Sequence, residues 1–307
     1  MPLDLRKIRY FVAVYEEGSL SRAAAREKVV QPALSVQLRQ LEAELSVRLF
    51  DRSAQGVQPT PAGHHLYTLS SGILRDLEGM RREMLDFGGT IAGTIRVGLM
   101  PSICRGPIAG LLDGYLDAYP RVEVKILEAY SGTLARLVID GELDLAVCNR
   151  PAPQTSLKLR LLLRDRIVLA SGPASRGLRP GEPCRLADLT DLKLILPSGQ
   201  HSLRRVLDRH VKSGQIAPAR VMEVDGLGAT LRLVEATGWA TLLPSIAVAE
   251  EARAGRFLLN PVAEPSNLTS DIYALHVPER PPSLAAQRFI EVVEQELLRT
   301  AGSLAGV

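Results

Sequence analysis

Residues 18–52 read GSLSRAAAREKVVQPALSVQLRQLEAELSVRLFDR, and two short helical patterns lie close together in them. Ser19 to Lys28 is rich in alanine and arginine; a second pattern opens at Gln31-Pro32 and carries Leu34, Leu38, Leu41 and Leu45. Spacings of 4, 3 and 4 place these leucines on one stripe of a helix. Pro32 suits the first helical turn, where a missing N–H costs nothing. With the leucines buried, the helix turns Pro32, Val36 and Arg39 outward, with Gln31 and Ser35 on the shoulder. Short hydrogen-bonding side chains at a helix start suit base-edge reading in a major groove. From Gly18 to Gln40, Arg22, Arg26, Lys28 and Arg39 stand against Glu27 alone, a local excess of three positive charges. The pattern is that of a helix-turn-helix; a generic helical hairpin is the alternative this stretch leaves open.

Upstream, Asp4 can cap a first helix with an apolar face of Leu5, Ile8, Phe11, Val12 and Tyr15; Gly18 ends it and Ser19 can cap the next. Downstream, Arg52 to Pro59 has the right length for a small wing, and Thr60-Pro61 is a good cap and first-turn pair. From Pro61, Ala62, Leu66, Leu69, Ile73, Leu77, Met80, Met84 and Phe87 form a heptad-like stripe, stopped by Gly88-Gly89. Such a helix is roughly 40 Å long. It either lies on a domain core or forms a dimer seam. Its length, isolation and single apolar stripe favour the seam, and hence a symmetric dimer on a two-fold DNA site.

The whole chain has 307 residues, enough for two domains. With 46% hydrophobic and 23% charged residues a soluble globular protein is expected, and a net charge of +3 is too mild to indicate nucleic-acid binding by itself. Cys104, Cys148 and Cys184 lie far apart without ligand spacing, as expected of free thiols in a reducing cytoplasm. Asp4, Arg6, Lys7 and Arg9 interrupt any apolar leader, and no run approaches a membrane span.

From Thr90 short β-rich runs alternate with helical ones. Thr94–Leu99, Val122–Glu128, Asp144–Asn149, Arg166–Ser171, Lys193–Pro197, Arg220–Val224 and Ile272–Val277 read as strands. Cys104–Tyr119, Thr133–Asp140, His201–Lys212, Leu227–Ala236, Ser245–Ala254 and Ser283–Thr300 read as helices, and Gly172–Pro183 as a surface loop. The alternation predicts a mostly parallel sheet, and the length two lobes with a cleft. In open α/β sheets ligands sit beyond the carboxyl ends of the strands. Pro101-Ser102, Ser131-Gly132-Thr133, Ser198-Gly199 and Asp225-Gly226 follow such ends. Each is either an ordinary cap or a contribution to a site where free N–H groups favour an anion. His201, in PSGQHS, and Trp239 join the candidate set, although surface packing and core packing respectively are their commoner fates.

An enzyme reading finds no support: no GxSxG elbow is present, Ser131 has no visible histidine partner, and adjacent His64-His65 point to different helix faces, so no metal clamp forms. Gly226-Leu227-Gly228 lacks the third glycine of a dinucleotide loop. No catalytic residue, metal or cofactor is expected. A stand-alone solute receptor would lack a use for the amino-terminal helices.

The motifs resemble those of the LysR-type transcriptional regulators. They comprise Ser19-Leu20-Ser21-Arg22-Ala23-Ala24, Gln31-Pro32-Ala33-Leu34-Ser35, Gln37-Leu38, Leu41-Glu42, Leu45, Leu49-Phe50-Asp51-Arg52 and Thr60-Pro61-Ala62-Gly63. Tyr130-Ser131-Gly132 with Leu134, Gly141–Ala146, and Gly238 with Leu243-Pro244 resemble the family's effector domain, closest to the nitrogen-assimilation-control branch. The resemblance implies a winged helix-turn-helix at 1–60, a linker or dimerisation helix at 61–89 and a two-lobed periplasmic-binding-protein-like α/β domain at 90–307. Lobe I would span about 90–165 and 270–307, and lobe II about 166–269. It implies major-groove contacts from Gln31, Pro32, Ser35, Val36, Gln37 and Arg39, and phosphate contacts from Arg22 and Arg52, with Thr60 also in the DNA-binding set. Promoter DNA, a small effector, RNA polymerase and further copies in a homodimer or homotetramer are the implied partners of a cytoplasmic protein, and a membrane is not; the anionic character of the effector is the expectation from the helix starts alone. Four positions depart from the family pattern. Glu27 and Ser46 stand where leucine and glycine are usual, Val36 where many members carry arginine, and Gln55 where the wing tip is often basic.

Overall fold

A computed structural model describes residues 4–53, 56–87, 91–151, 156–173, 179, 181–189, 191–199, 201–264 and 268–304. The chain divides into two compact units, Met1–Met84 and Leu85–Val307.

In the first unit, α1 (Leu5–Glu17) starts where the Asp4 carboxylate accepts the Arg6 N–H at 2.9 Å. It stops at Gly18, whose φ of 59° is open to glycine without a Cβ penalty. α2 (Leu20–Arg26) is capped by Ser19, and α3 (Gln31–Leu45) carries Pro32 in its first turn. Leu34, Leu38 and Leu41 are buried against Phe11, Val14, Ala23 and Leu49. Glu27 is largely buried, and its carboxylate accepts the Arg9 guanidinium at 2.9 Å, which removes the penalty of an unpaired charge. Ser46 adopts φ 54°, the left-handed conformation that glycine takes most readily.

β1 (Phe50–Ser53) and β2 (Gly56–Pro59) form an antiparallel wing whose tip, including Gln55, lies outside the described residues. Glu42 fixes its start by accepting the N–H groups of Leu49 at 2.8 Å and Phe50 at 3.3 Å. α4 (Pro61–Phe87) begins at Thr60, whose hydroxyl accepts the Gly63 N–H at 3.1 Å and donates to the Arg48 carbonyl at 2.8 Å. A Cβ at Gly63 would meet the Leu49 carbonyl oxygen at 2.2 Å, so only glycine fits there. Leu66, Tyr67 and Leu74 pack on the helical core, and Tyr15 and Tyr67 stack with centroids 3.8 Å apart. Leu69, Ile73, Leu77, Met80 and Met84 are 40–65% exposed along one stripe. The side chain of Phe87, and Gly88-Gly89, lie outside the described residues.

The second unit contains β3 (Gly93–Leu99), α5 (Pro101–Arg105), α6 (Ile108–Ala118), β4 (Val122–Glu128), α7 (Ser131–Ile139), β5 (Leu145–Asn149) and β6 (Lys158–Ser171). β7 (Cys184–Arg185), β8 (Lys193–Leu196), α8 (Ser202–Lys212), β9 (Arg220–Glu223), α9 (Leu227–Ala236) and β10 (Ala240–Pro244) follow. α10 (Ala249–Arg253), β11 (Leu258–Glu264), β12 (Thr269–His276) and α11 (Leu284–Gly302) complete it. The strand order is β4-β3-β5-β12-β6-β10-β8-β9, with β11 beside β6 and β7 beside β11. β6 joins two lobes: residues 158–166 pair with β12, and residues 167–171 pair with β10 and β11.

The sheet is mixed, which corrects the mostly parallel expectation. β5–β12, β12–β6, β6–β10 and β6–β11 are antiparallel, because β6 runs one way between the lobes and β11 and β12 run back beside it. The helix expected over Cys104–Tyr119 is two helices, broken at Gly106-Pro107, where proline caps α6 and has no N–H to continue α5. The run Ser245–Ala254 is likewise a 3-10 turn followed by the short α10. Of the loop expected over Gly172–Pro183, residues 174–178 and 180 lie outside the described set.

Candidate functional site

The start of α3 is the first candidate surface. Gln31, Pro32, Val36 and Arg39 are exposed and Ser35 and Gln37 partly so, over the buried leucine stripe. The Ser21 hydroxyl donates to Gln31 Oε1 at 3.2 Å, tying the exposed amide to α2, and Arg39 Nε reaches the Ser35 carbonyl at 3.4 Å. The basic excess of this stretch is largely offset by acids just outside it. Arg22 donates to the Glu17 carbonyl and approaches its carboxylate at 3.5 Å, and Arg26 meets Glu16 at 2.5 Å. The side chain of Arg52 lies outside the described residues, and the Thr60 hydroxyl is engaged at the helix start.

The second candidate is a cavity of about 160 Å³ between the lobes of the second unit. The first turns of α5, α7, α8 and α9 all reach it, through Pro101-Ser102, Ser131-Gly132, Ser202-Leu203 and Leu227. The residues preceding these helices, Met100, Tyr130, His201 and Gly226, make no side-chain capping bond. Ordinary capping therefore does not account for Ser102 and Ser131; the positive ends of α7 and α8 face the space, whereas the Leu227 N–H of α9 meets the Tyr130 hydroxyl.

Of the residues expected there, Pro101, Ser102, Ser131, Gly132, His201 and Asp225 line the cavity. Thr133, Ser198, Gly199, Gly226 and Trp239 do not. Thr133 is exposed one position further along α7, and Gly199 and Gly226 lie on the outer surface of their turns. The Ser198 N–H is taken by Asp225 Oδ1 at 2.7 Å. Trp239 packs on the second lobe's core under the Arg220 guanidinium, 5.9 Å from its ring centroid. Sequence reasoning missed Tyr130, Asn149, Ser202, Arg205, Thr230 and Thr241. Tyr130 and Asn149 end or follow strands in the expected way; Thr230 and Thr241 carry no local signal, because only the packing of α9 and β10 brings them in.

Contacts across the cavity tie the lobes together. Tyr130 donates to the Asp225 carbonyl and its ring lies edge-on to His201, with centroids 4.0 Å apart. His201 Nε2 is 3.1 Å from Asp225 Oδ1. The Ser198 N–H, and then His201, hold the Asp225 carboxyl below its usual range, so it stays ionised. Ser202 donates to Asn149 Oδ1 at 3.3 Å, and Asn149 Nδ2 donates to Ser270 Oγ at 2.8 Å. Burial pushes the Cys148 thiol, beside Ser131, up to about 12, so it is no nucleophile at neutral pH. No cluster of metal-binding side chains occurs among the described residues.

A helical unit presenting the start of one helix, followed by a two-lobed α/β unit with a cavity between the lobes, defines a one-component, ligand-sensing DNA-binding regulator. A family model described as "LysR substrate binding domain" matches residues 88–298, and one described as "Bacterial regulatory helix-turn-helix protein, lysR family" matches residues 5–64. The chain belongs to the LysR family of transcriptional regulators. It is 32% identical over 268 residues to the HTH-type transcriptional regulator BbuR of Bordetella bronchiseptica, covering 84% of this chain and 79% of that one. It is 30% identical to the nitrogen assimilation regulatory protein nac of Klebsiella aerogenes, covering 86% of each. Its fold matches a full-length OxyR point variant from Pseudomonas aeruginosa with a TM-score of 0.70, at 24% identity over 98% of this chain and 97% of that one. CbnR complexed with its target DNA matches with a TM-score of 0.64, at 22% identity over 96% and 100%. The relatives are regulators and not enzymes.

Proposed function

We propose that α3 enters the major groove of promoter DNA with Gln31, Pro32, Ser35, Val36, Gln37 and Arg39 toward the bases. Residues 1–60 would form the DNA-reading domain, 61–89 the linker and dimerisation helix, and 90–307 the effector domain, with lobes divided near 165 and 270. Arg22, Arg52 and Thr60 would lie toward phosphates, which set register without reading sequence. Arg22 would exchange Glu17 for a phosphate, a small change for an exposed pair. Val36, 42% exposed, offers its methyl groups to a thymine methyl. An operator selection that shows no thymine preference opposite this residue excludes that contact. The exposed stripe of α4 supports a homodimer, and a second contact between effector domains a homotetramer; light scattering measures which forms. Contact with RNA polymerase follows from the family's role and is read by transcription in vitro.

The interlobe cavity takes a small anionic metabolite. The observation that carries this is that the starts of α7 and α8, without side-chain caps, meet at one space with Ser102, Ser131 and Ser202 at its walls. The apolar share of the lining, including Leu203, Leu227 and Leu243, gives the ligand a hydrocarbon part as well. Calorimetry of the full chain against small carboxylates, phosphates and cations at matched ionic strength tests it. A Cβ at Gly132 meets nothing within 4 Å, so Gly132→Leu should fold and block the cavity. Binding of an anion that Gly132→Leu abolishes is the expected result. Binding of cations or bulky apolar compounds alone, or binding unchanged in the variant, overturns it.

A further inference from the structure

A second cavity, of about 570 Å³, lies on the other side of the wall formed by Asn149, Pro151, Ser202, Leu203 and Arg205. Its charge is unlike that of the first. Arg150, from the segment after β5, and Arg205 and Arg209, one turn apart on α8, all line it. Among the described residues none of these guanidinium groups has a carboxylate partner, whereas the adjacent Arg204 meets both Asp208 and Glu223. Residues 152–155 and 200, next to the cavity in the chain, include no acid.

Asp271 is the acid in the lining, and it is already engaged. Arg164 meets both its oxygens, at 2.9 Å and 3.2 Å, and the Tyr273 hydroxyl donates to it at 3.2 Å. Arg150 lies 5.6 Å from the centroid of the Tyr273 ring, so an aromatic face holds one guanidinium at the edge of the space. Two cations at i and i+4 on α8 repel each other, and the first lobe brings a third toward them. Thr269 and Ser270 add neutral donors, while the Ser202 hydroxyl is already given to Asn149.

We infer that this cavity is a second ligand site, selective for a compact polyanion: a small metabolite with clustered anionic oxygens, supplied by phosphate groups or by several carboxylates. Guanidinium forks pair two oxygens at a time, and each bond is charge-assisted. An occupant neutralises the repulsion between Arg150 and the two arginines of α8, and so draws the lobes together. The two cavities share a wall, and any coupling between their occupants is reciprocal. The site stands on its own residues and does not depend on what fills the interlobe cavity.

The test is calorimetric titration of the full-length protein with inorganic pyrophosphate, citrate and acetate at matched ionic strength. Pyrophosphate and citrate are expected to bind and acetate not; binding of pyrophosphate alone points to phosphate groups as the source, and of citrate alone to carboxylates. Arg150 and Arg209 are exposed, so R150Q/R209Q should keep the wild-type melting temperature while weakening polyanion binding by about tenfold or more. R232Q removes an exposed arginine elsewhere and should leave the affinity unchanged, whereas R209K keeps the charge without the fork and should fall between wild type and R209Q. If the double variant unfolds, R150Q and R209Q alone, each weaker by about threefold, carry the test. No binding by the wild type at millimolar polyanion overturns the inference. So does binding that R150Q/R209Q leaves unchanged, which would place the anion on another basic surface such as the DNA-reading unit.

Discussion

Ser46 ends α3 in the left-handed region at φ 54° and ψ 31°, with its N–H on the carbonyls of Ala43 and Glu42. The side chain is exposed, and no hydrogen bond ties it to the described residues around it. A left-handed L-residue costs roughly 1–2 kcal/mol, and glycine returns about 0.5–1 kcal/mol of that through its greater entropy when unfolded. Ser46→Gly should therefore stabilise the first unit by about 0.5–1 kcal/mol. Hydrogen exchange of the core amides of α3 reads that unit apart from the rest of the chain. Protection should rise about two- to fivefold at Leu38 and Leu41, with no change in the second unit. Ser46→Val should lower protection, because a β-branched residue fits the left-handed region worst. Unchanged protection in Ser46→Gly, or equal protection in the glycine and valine variants, would refute the reasoning.

Leu38→Ala, at a fully buried position, should cost about 2–5 kcal/mol in thermal or denaturant unfolding of the first unit, whereas Ser35→Ala should leave unfolding unchanged and weaken operator binding by about 1–3 kcal/mol. Gly63→Ala drives a Cβ into the Leu49 carbonyl at 2.2 Å and should lower the melting temperature of the first unit well beyond an ordinary surface change. Cys148, pushed up to about 12 from 9.0, should react with iodoacetamide at pH 8 about a thousandfold more slowly than a free thiol. The folded thiol keeps its proton where the unfolded one has lost it, so the same burial predicts that stability falls as pH rises above about 9, a trend that Cys148→Ala should reduce.

The amino-terminal unit was legible almost residue by residue, because its determinants are local. The leucine spacing fixes the buried face of α3, and Asp4, Gly18, Ser19 and Thr60 punctuate helices at the positions where they cap or stop them. Glu27 reads in isolation as a misfit and needs Arg9, 18 positions away, to make sense. The second unit was less transparent. The first half of β6 is masked by Arg160, Arg164, Asp165 and Arg166, of which Arg160 pairs with Glu294 and Arg164 with Asp271, both remote in the chain. β10 reads Ala-Thr-Leu-Leu-Pro without regular polar alternation, since all five residues are buried, Thr241 included. The cavity was found at the strand ends that precede helices, where topology alone predicts it. Thr230, Thr241 and Arg205 depend on how α8, α9 and β10 pack, and no spacing announces that.

Recognition of duplex DNA by the exposed start of α3 is tested most directly by footprinting the full-length protein on the sequence upstream of its own gene, at several salt concentrations. Protection of two related half-sites is expected, with affinity falling by orders of magnitude between about 50 and 200 mM salt as phosphate contacts are screened. Gln31→Ala with Ser35→Ala should erase the footprint while leaving the melting temperature unchanged. Protection that survives those substitutions, a flat response to salt, or no protection at all would contradict the assignment.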